Sequence, residues 1–246
     1  MEIYKYQSIN DYFWKNFIND QLWFSTPLNF DDDFDSNLPL ITHYSEKEIE
    51  ILLRVSYELN FKTQNGFSDS VNIKAFVENK KLQHDFFSSL MTDHIKNRIG
   101  ITCFSENNMN NILWGNYADK SHGICLGFET ENDKTFFKNL YKVDYVSKLP
   151  TIKLNITEST EDFYSNFKTF FTTKKIAWKE QQEVRLFRHS PSIDTYTPLA
   201  LVKIIFGTKT LTNHKNKIIS IALQKNKNVE FYDTVVDSGE YKLKKI

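Results

Sequence analysis

Cysteine is nearly absent from this 246-residue chain: Cys103 and Cys125 are the only two. Two thiols do not build a disulfide framework, and the opening MEIYKYQSINDYFW lacks the pattern of a secretory signal, so a reducing cytoplasm is the expected location. Five prolines and seven glycines are too few for a collagen-like or linker-rich chain. Net charge is also missing, since 31 basic and 31 acidic side chains cancel, which argues against a nucleic-acid coat or an anionic-membrane binder while leaving room for a local basic patch. The longest apolar runs, such as ALVKIIFG, fall far short of a bilayer span, so no membrane partner is expected. Arginine occurs only four times, as Arg54, Arg98, Arg185 and Arg188, which makes each one worth inspecting.

Several chemical signatures are missing as well. There is no GxGxxG after a strand and no GxxxxGK[ST]; HExxH, CxxC and GxSxG are absent too. The six histidines (43, 84, 94, 122, 189 and 214) have no ligand spacing, so no metal cofactor is expected. A Cys–His pair drawn from Cys103 or Cys125 with His122 is conceivable, but both cysteines lie in apolar strands, where buried structural thiols are the commoner case.

What is present is a core-forming composition: 40% hydrophobic and 15% aromatic residues, with 21 Phe and 12 Tyr. EIYKY (2–6) and LWFS (22–25) read as strands around a helix that ends near residue 20, with Ser8 and Asp11 as its capping pair and Tyr12, Phe13 and Phe17 on one face. An acidic loop follows, Asp31-Asp32-Asp33-Phe34-Asp35, read either as a Mg²⁺ or Ca²⁺ site or as a solvated turn anchored by Phe30 and Phe34. Residues 45–98 hold one glycine and no proline; Ile49, Leu52, Leu53 and Leu59 keep a helical period, and 72–97 continue it. The second half returns to strands at 101–105, 124–129, 141–146, 183–187 and 199–207, the last without alternation and so central. Helices are expected at 109–119, at 159–176 (Phe163, Phe167, Phe170, Phe171) and at 212–224, with two short strands at the end. The expected architecture is a single α+β domain, 1–246, with a mixed or antiparallel central sheet and a helical insertion at 45–98.

Two constellations carry candidate chemistry. In Trp178-Lys179-Glu180-Gln181-Gln182-Glu183-Val184-Arg185, strand alternation sets Gln181 and Glu183 on one face; the plainer reading is a solvated strand edge with a Glu–Arg surface pair. In Gly100 to Phe128, a strand ending at Ser105 leads through a short helix bearing Trp114 and Tyr117 into GICLGF. Ser105 there meets a ligand or caps the next turn, and the two aromatics share a helical face that packs into the core or lines a pocket.

Taken in order, Tyr4-Lys5-Tyr6, the loop Phe30 to Asp35, Cys103 to Glu106, Trp114 to Asp119, Gly123 to Phe128 and Trp178 to Arg185 resemble a bacterial domain-of-unknown-function family, number two-nine-seven-one. That family has FNDPFD in the loop, a His at position 116 and an acid at 181, where this chain has Asp31 and Asp33, Asn116 and Gln181. More distantly, the order of elements resembles the ADP-ribosyltransferase fold. The resemblance implies an NAD⁺-consuming enzyme that transfers ADP-ribose to a macromolecule, protein or nucleic acid, or hydrolyses NAD⁺. It implies Glu183 as the catalytic carboxylate and Gln181 as the group orienting the acceptor. Tyr4, Lys5 and Ser105 would hold the dinucleotide, with Trp114 and Tyr117 stacking on its rings. Lys5 or Tyr6 stands where Arg or His is usual.

Such an enzyme suits a bacterial toxin or antiphage effector, acting with a partner protein of that system. Two alternatives stay open: a metal-dependent nuclease built on the acidic loop and Glu183, or a non-catalytic interaction module presenting 45–98 to a partner.

Overall fold

The computed structural model describes residues 1–51, 73–153 and 167–246. Fourteen strands are numbered in chain order: β1 (Glu2–Gln7), β2 (Gln21–Phe24), β3 (Leu40–Ile41), β4 (Gly100–Ser105), β5 (Ile124–Glu129), β6 (Leu140–Lys142), β7 (Asp144–Val146), β8 (Ile152–Lys153), β9 (Thr173–Lys175), β10 (Glu183–Arg188), β11 (Ser192–Thr195), β12 (Leu201–Phe206), β13 (Glu230–Asp237) and β14 (Glu240–Lys245). Contacts gather the chain into two units: Met1–Thr26 with Ile99–Val143 and Ala177–Ile246, and Pro27–Arg98 with Asp144–Ile176. The second takes in the residues expected as an insertion.

The first unit is built on an eight-stranded sheet in the order β14-β13-β12-β5-β1-β4-β10-β6. Its neighbours are antiparallel except β12 and β13, which run parallel. A parallel pair needs a crossover, and the helix Thr212–Lys225 between them supplies it. The α+β class and the mixed, mostly antiparallel sheet expected from the sequence are therefore present.

One sheet face carries Ile3, Phe104, Leu126, Phe128, Leu186, Ile204 and Phe206, and against it pack Phe13 and Phe17 of helix Asp11–Ile18 and Ile218 and Ala222 of the crossover helix. The other face packs Tyr4, Tyr6, Cys125 and Ile205 against Leu113, Trp114 and Ala118. β12 is flanked on both sides and covered on both faces, which is why its sequence does not alternate.

Local details depart from the sequence reading. Asn10, not Ser8, caps the first helix: its side chain accepts from Phe13 N at 2.9 Å, while Ser8 Oγ donates to Tyr117 O. Tyr12 points into solvent, 80% exposed, because it lies off the Phe13–Phe17 stripe. YKVDYV splits into β6 and β7, which pair with different strands.

In the second unit, β3 pairs with β8 and β7 with β9, both in parallel. The helical reading of 72–97 resolves into Ile73–Glu78, Lys80–Ser89, a π turn Leu90–Ile95 and a 3-10 turn Lys96–Arg98. Asn79 breaks the first two apart, its side chain accepting from Leu82 N as a cap. Ser45 and Glu48 form a reciprocal capping box at the helical stretch 46–51. Tyr44, Ile49, Phe76 and Phe87 form the apolar cluster.

The expected helix 159–176 is helical at 167–172 and then becomes β9. Leu52, Leu53, Leu59, Arg54 and Phe163 lie outside the described residues. Of the two expected anchors of the acidic loop, Phe30 is half-buried, while Phe34 is 53% exposed beneath the Lys175 ammonium and is not a core residue. The anchor is Asp35, buried and ion-paired with buried Lys174 at 3.1 Å. The Lys174 charge compensates Asp35, which lowers the like-charge repulsion it would otherwise meet from Asp31, Asp32 and Asp33.

Candidate active site

The three segments singled out by sequence, β1, β4 and β10, are adjacent strands of the first unit. Their register places Tyr4 opposite Ser105 and Ser105 opposite Glu183. Residues directly opposite in antiparallel strands share a face, so phenol, hydroxyl and carboxylate form one row across the sheet. Alternation puts Cys103 and Arg185 on the same side and Lys5 on the other.

Glu183 is the first residue of β10, and the chain reaches it through an abrupt turn. Ile176–Gln181 is a 3-10 turn, and Gln182 takes a left-handed φ of 44° to leave it. Gln181 therefore does not alternate with Glu183 on a strand, as the sequence reading had it. It is buried at the end of the turn. This entry is clamped to β4 and the turn after it. Ser105 Oγ donates to Gln181 O at 2.6 Å and accepts from Asn107 N at 3.0 Å. Glu106 N donates to Gln182 O at 2.9 Å, and the Asn110 side-chain amide donates to Glu180 O. Ser105 thus spends its proton on the backbone that presents Glu183.

The Glu–Arg pair is not a surface pair. Arg185 Nε donates to Glu183 Oε1 at 2.7 Å, with side-chain exposures of 0% and 8%. The short spacing at i and i+2 fixes the direction of the carboxylate. Cys103 faces Arg185 across the β4–β10 ladder. Burial first, then the adjacent Glu183 charge, pushes its thiol far above the ordinary range, and burial does the same to Cys125. Both are poor nucleophiles at neutral pH.

Lys5 is held apart from the row. Its ammonium donates to Cys103 O at 3.1 Å and lies over the Phe104 ring. Burial lowers its pKa, while Cys103 and Glu183 act the other way. The β1–β4 register is fixed at Tyr4–Ser105, and the ammonium takes a carbonyl further along β4.

The two candidate aromatics separate. Trp114 is fully buried, edge-on to Tyr6 at 5.1 Å, with its indole N–H donating to Asn108 O. Tyr117 lies just past the end of helix Asn111–Asn116 and is 43% exposed. Tyr4 is buried, and burial followed by neighbouring Glu2 raises its phenol pKa.

Sequence reasoning missed Asn107 and Asn110. The Tyr6 hydroxyl donates to Asn107 O at 2.8 Å and accepts from Asn110 N at 3.1 Å, tying β1 to the turn that clamps β10. The available signal was the asparagine-rich stretch 107–111, four Asn around Met109, which is capping and turn chemistry. Among the described residues, no three His, Cys, Asp or Glu side chains are grouped to hold a metal ion. A depression of about 240 Å³ lined by Asn132, Leu199, Val202, Asn226 and Asn228 involves none of the row residues.

Residues 113–186 match the family model described as a protein of unknown function, DUF2971. No curated protein and no solved structure matches the chain. The DUF2971 match begins within the helix that carries Trp114, spans β5 and ends inside β10, so it takes in Gln181, Glu183 and Arg185. Tyr4, Lys5 and Ser105 precede it. Among the described residues, no helix is long and apolar enough to cross a membrane.

Proposed function

We propose that the β1–β4–β10 face is an NAD⁺ site and that the chain breaks the nicotinamide–ribose bond, delivering ADP-ribose to a macromolecule or to water. The observation that carries this reading is the row Tyr4–Ser105–Glu183, which unites three segments far apart in sequence. A carboxylate whose direction is fixed by a buried guanidinium suits a reaction that develops positive charge on a sugar carbon. In this reading Glu183 stabilises that charge and Arg185 positions it. Ser105, Asn107 and Asn110 hold the entry of β10 in place, and Gln181 orients the acceptor group. Tyr4 bounds the dinucleotide, and exposed Tyr117 offers the ring face that buried Trp114 does not. Lys5, on the opposite face with its ammonium on Cys103 O, braces β4 beneath the row rather than touching the dinucleotide. Consumption of NAD⁺ in this way suits a toxin or antiphage effector.

The test is nicotinamide release from NAD⁺ by the purified chain, with NAD⁺ binding followed by calorimetry. Glu183→Gln keeps a hydrogen-bond acceptor for Arg185 and is expected to lower the rate about 100- to 1000-fold. Unchanged release in that variant, or no binding of NAD⁺ by the wild type, overturns the reading.

A further inference from the structure

At one end of the first unit three chain segments meet. Ser8 Oγ donates to Tyr117 O at 3.3 Å, Lys209 N to Ser121 O at 3.0 Å and Thr210 Oγ1 to Gly123 O at 2.7 Å. Helix Asp11–Ile18 joins them, because Trp14 packs edge-on against His214 at 5.7 Å. Between Tyr117 and Gly123, three successive non-glycine residues, Asp119, Lys120 and Ser121, take φ of 47°, 50° and 69°. The turn is held by Lys120 N to Gly115 O and Ser121 N to Trp114 O.

The charges here divide in a telling way. On helix Thr212–Lys225, Lys215 pairs with Asp233 and Lys225 with Asp20. Lys217 on the same helix, with Lys120 and Lys209 on the adjoining loops, is exposed and has no carboxylate within ion-pair distance among the described residues. The Lys217 ammonium sits 4.1 Å from the Trp14 ring centroid. Tyr12 and Tyr117, both exposed, belong to the segments that meet here, as do the exposed acids Asp11 and Asp119, which the lysines of these segments outnumber. Lysines without an ion pair and exposed aromatic rings on the same segments supply phosphate contacts and stacking platforms.

We propose that this end of the first unit, formed by residues 8–15, 117–122 and 207–217, binds single-stranded nucleic acid. Lys120, Lys209 and Lys217 meet the phosphates, and Tyr12 and Tyr117 stack on bases. An acidic peptide would use the cations and leave the rings idle. The proposal stands without the NAD⁺ reading, because binding is measured with no dinucleotide present.

The experiment is fluorescence anisotropy of the full chain with a labelled oligo-dT and an oligo-U, titrated across salt. Three phosphate contacts give a slope of log K on log salt of about −2 for a single strand. Tyr12→Ala is expected to weaken binding about fivefold or more. The combined Lys120→Glu, Lys209→Glu, Lys217→Glu variant is expected to weaken it more than tenfold while staying folded, its melting temperature lowered only by the loss of the Lys217 contact with the Trp14 ring. Three results would each overturn the proposal: no binding at low salt, binding that survives the triple charge reversal, or equal binding of a labelled poly-glutamate.

Discussion

At the scale of single residues, burial decides what each polar group can do. Arg185 and Glu183 are two charges taken out of water, and their 2.7 Å contact offsets a large desolvation cost. Removing one partner leaves the other stranded, so Arg185→Met should cost about 3–5 kcal/mol in denaturant unfolding. Adding Glu183→Gln to that variant should recover part of the loss. If the double variant is less stable than Arg185→Met alone, the two groups are not coupled as described. Thr102 Oγ1 and Thr234 Oγ1 are buried with no hydrogen-bond partner among the described residues. Thr102→Val, close in shape, should raise stability by about 1 kcal/mol, read as an upward shift in melting temperature. Neither feature is visible in sequence. Glu183 and Arg185 at i and i+2 could equally have faced solvent, and only the placement of β10 between β4 and β6 put them inside.

At the scale of elements, caps and close backbone approaches set the boundaries. Because Asn10 and not Ser8 caps the first helix, Asn10→Ala should cost about 1 kcal/mol and Ser8→Ala distinctly less, a difference that chemical denaturation resolves. Gly207 and Gly123 sit where a Cβ would overlap a backbone carbonyl oxygen, Ser121 O and Gln7 O respectively. Gly207→Ala should therefore destabilise by more than the usual surface substitution, with a melting temperature several degrees lower. The strands of the large sheet were legible, since ITCFS, ICLGFE, EVRLF and LALVKIIFG carry dense apolar runs, whereas the short strands β3, β8, β9 and β11 were not. The break at Gln182 was not, because a left-handed non-glycine residue has no sequence mark.

At the scale of the whole molecule, titration links the buried groups to stability. The pKa values of Cys103 and Cys125 are raised from 9.0, and those of Tyr6 and Tyr196 from 10.0. Below these ordinary values both folded and unfolded chains keep the proton and nothing changes. Above them the unfolded chain ionises first, so stability falls as pH rises. Lys5 and Lys96 work in the opposite sense, because burial lowers their pKa from 10.5 and the unfolded chain binds the extra proton up to that value. Past 10.5 the lysine effect is exhausted and only the loss remains. The melting temperature should drop in the range above about pH 10, and less steeply in Cys125→Ala. A pH-independent melting temperature there would show that these groups are open to water.

The sequence by itself determined the α+β class, most of the strands and the central position of β12. Apolar periodicity and residue type act locally, and a single chain reports them directly. Tertiary structure alone decided that Tyr4, Ser105 and Glu183 share a row, that Arg185 is buried against Glu183 and that Asp35 points inward to Lys174. Each of these depends on strand order and register. Those are fixed by the fit of whole faces against one another, and no local pattern encodes them.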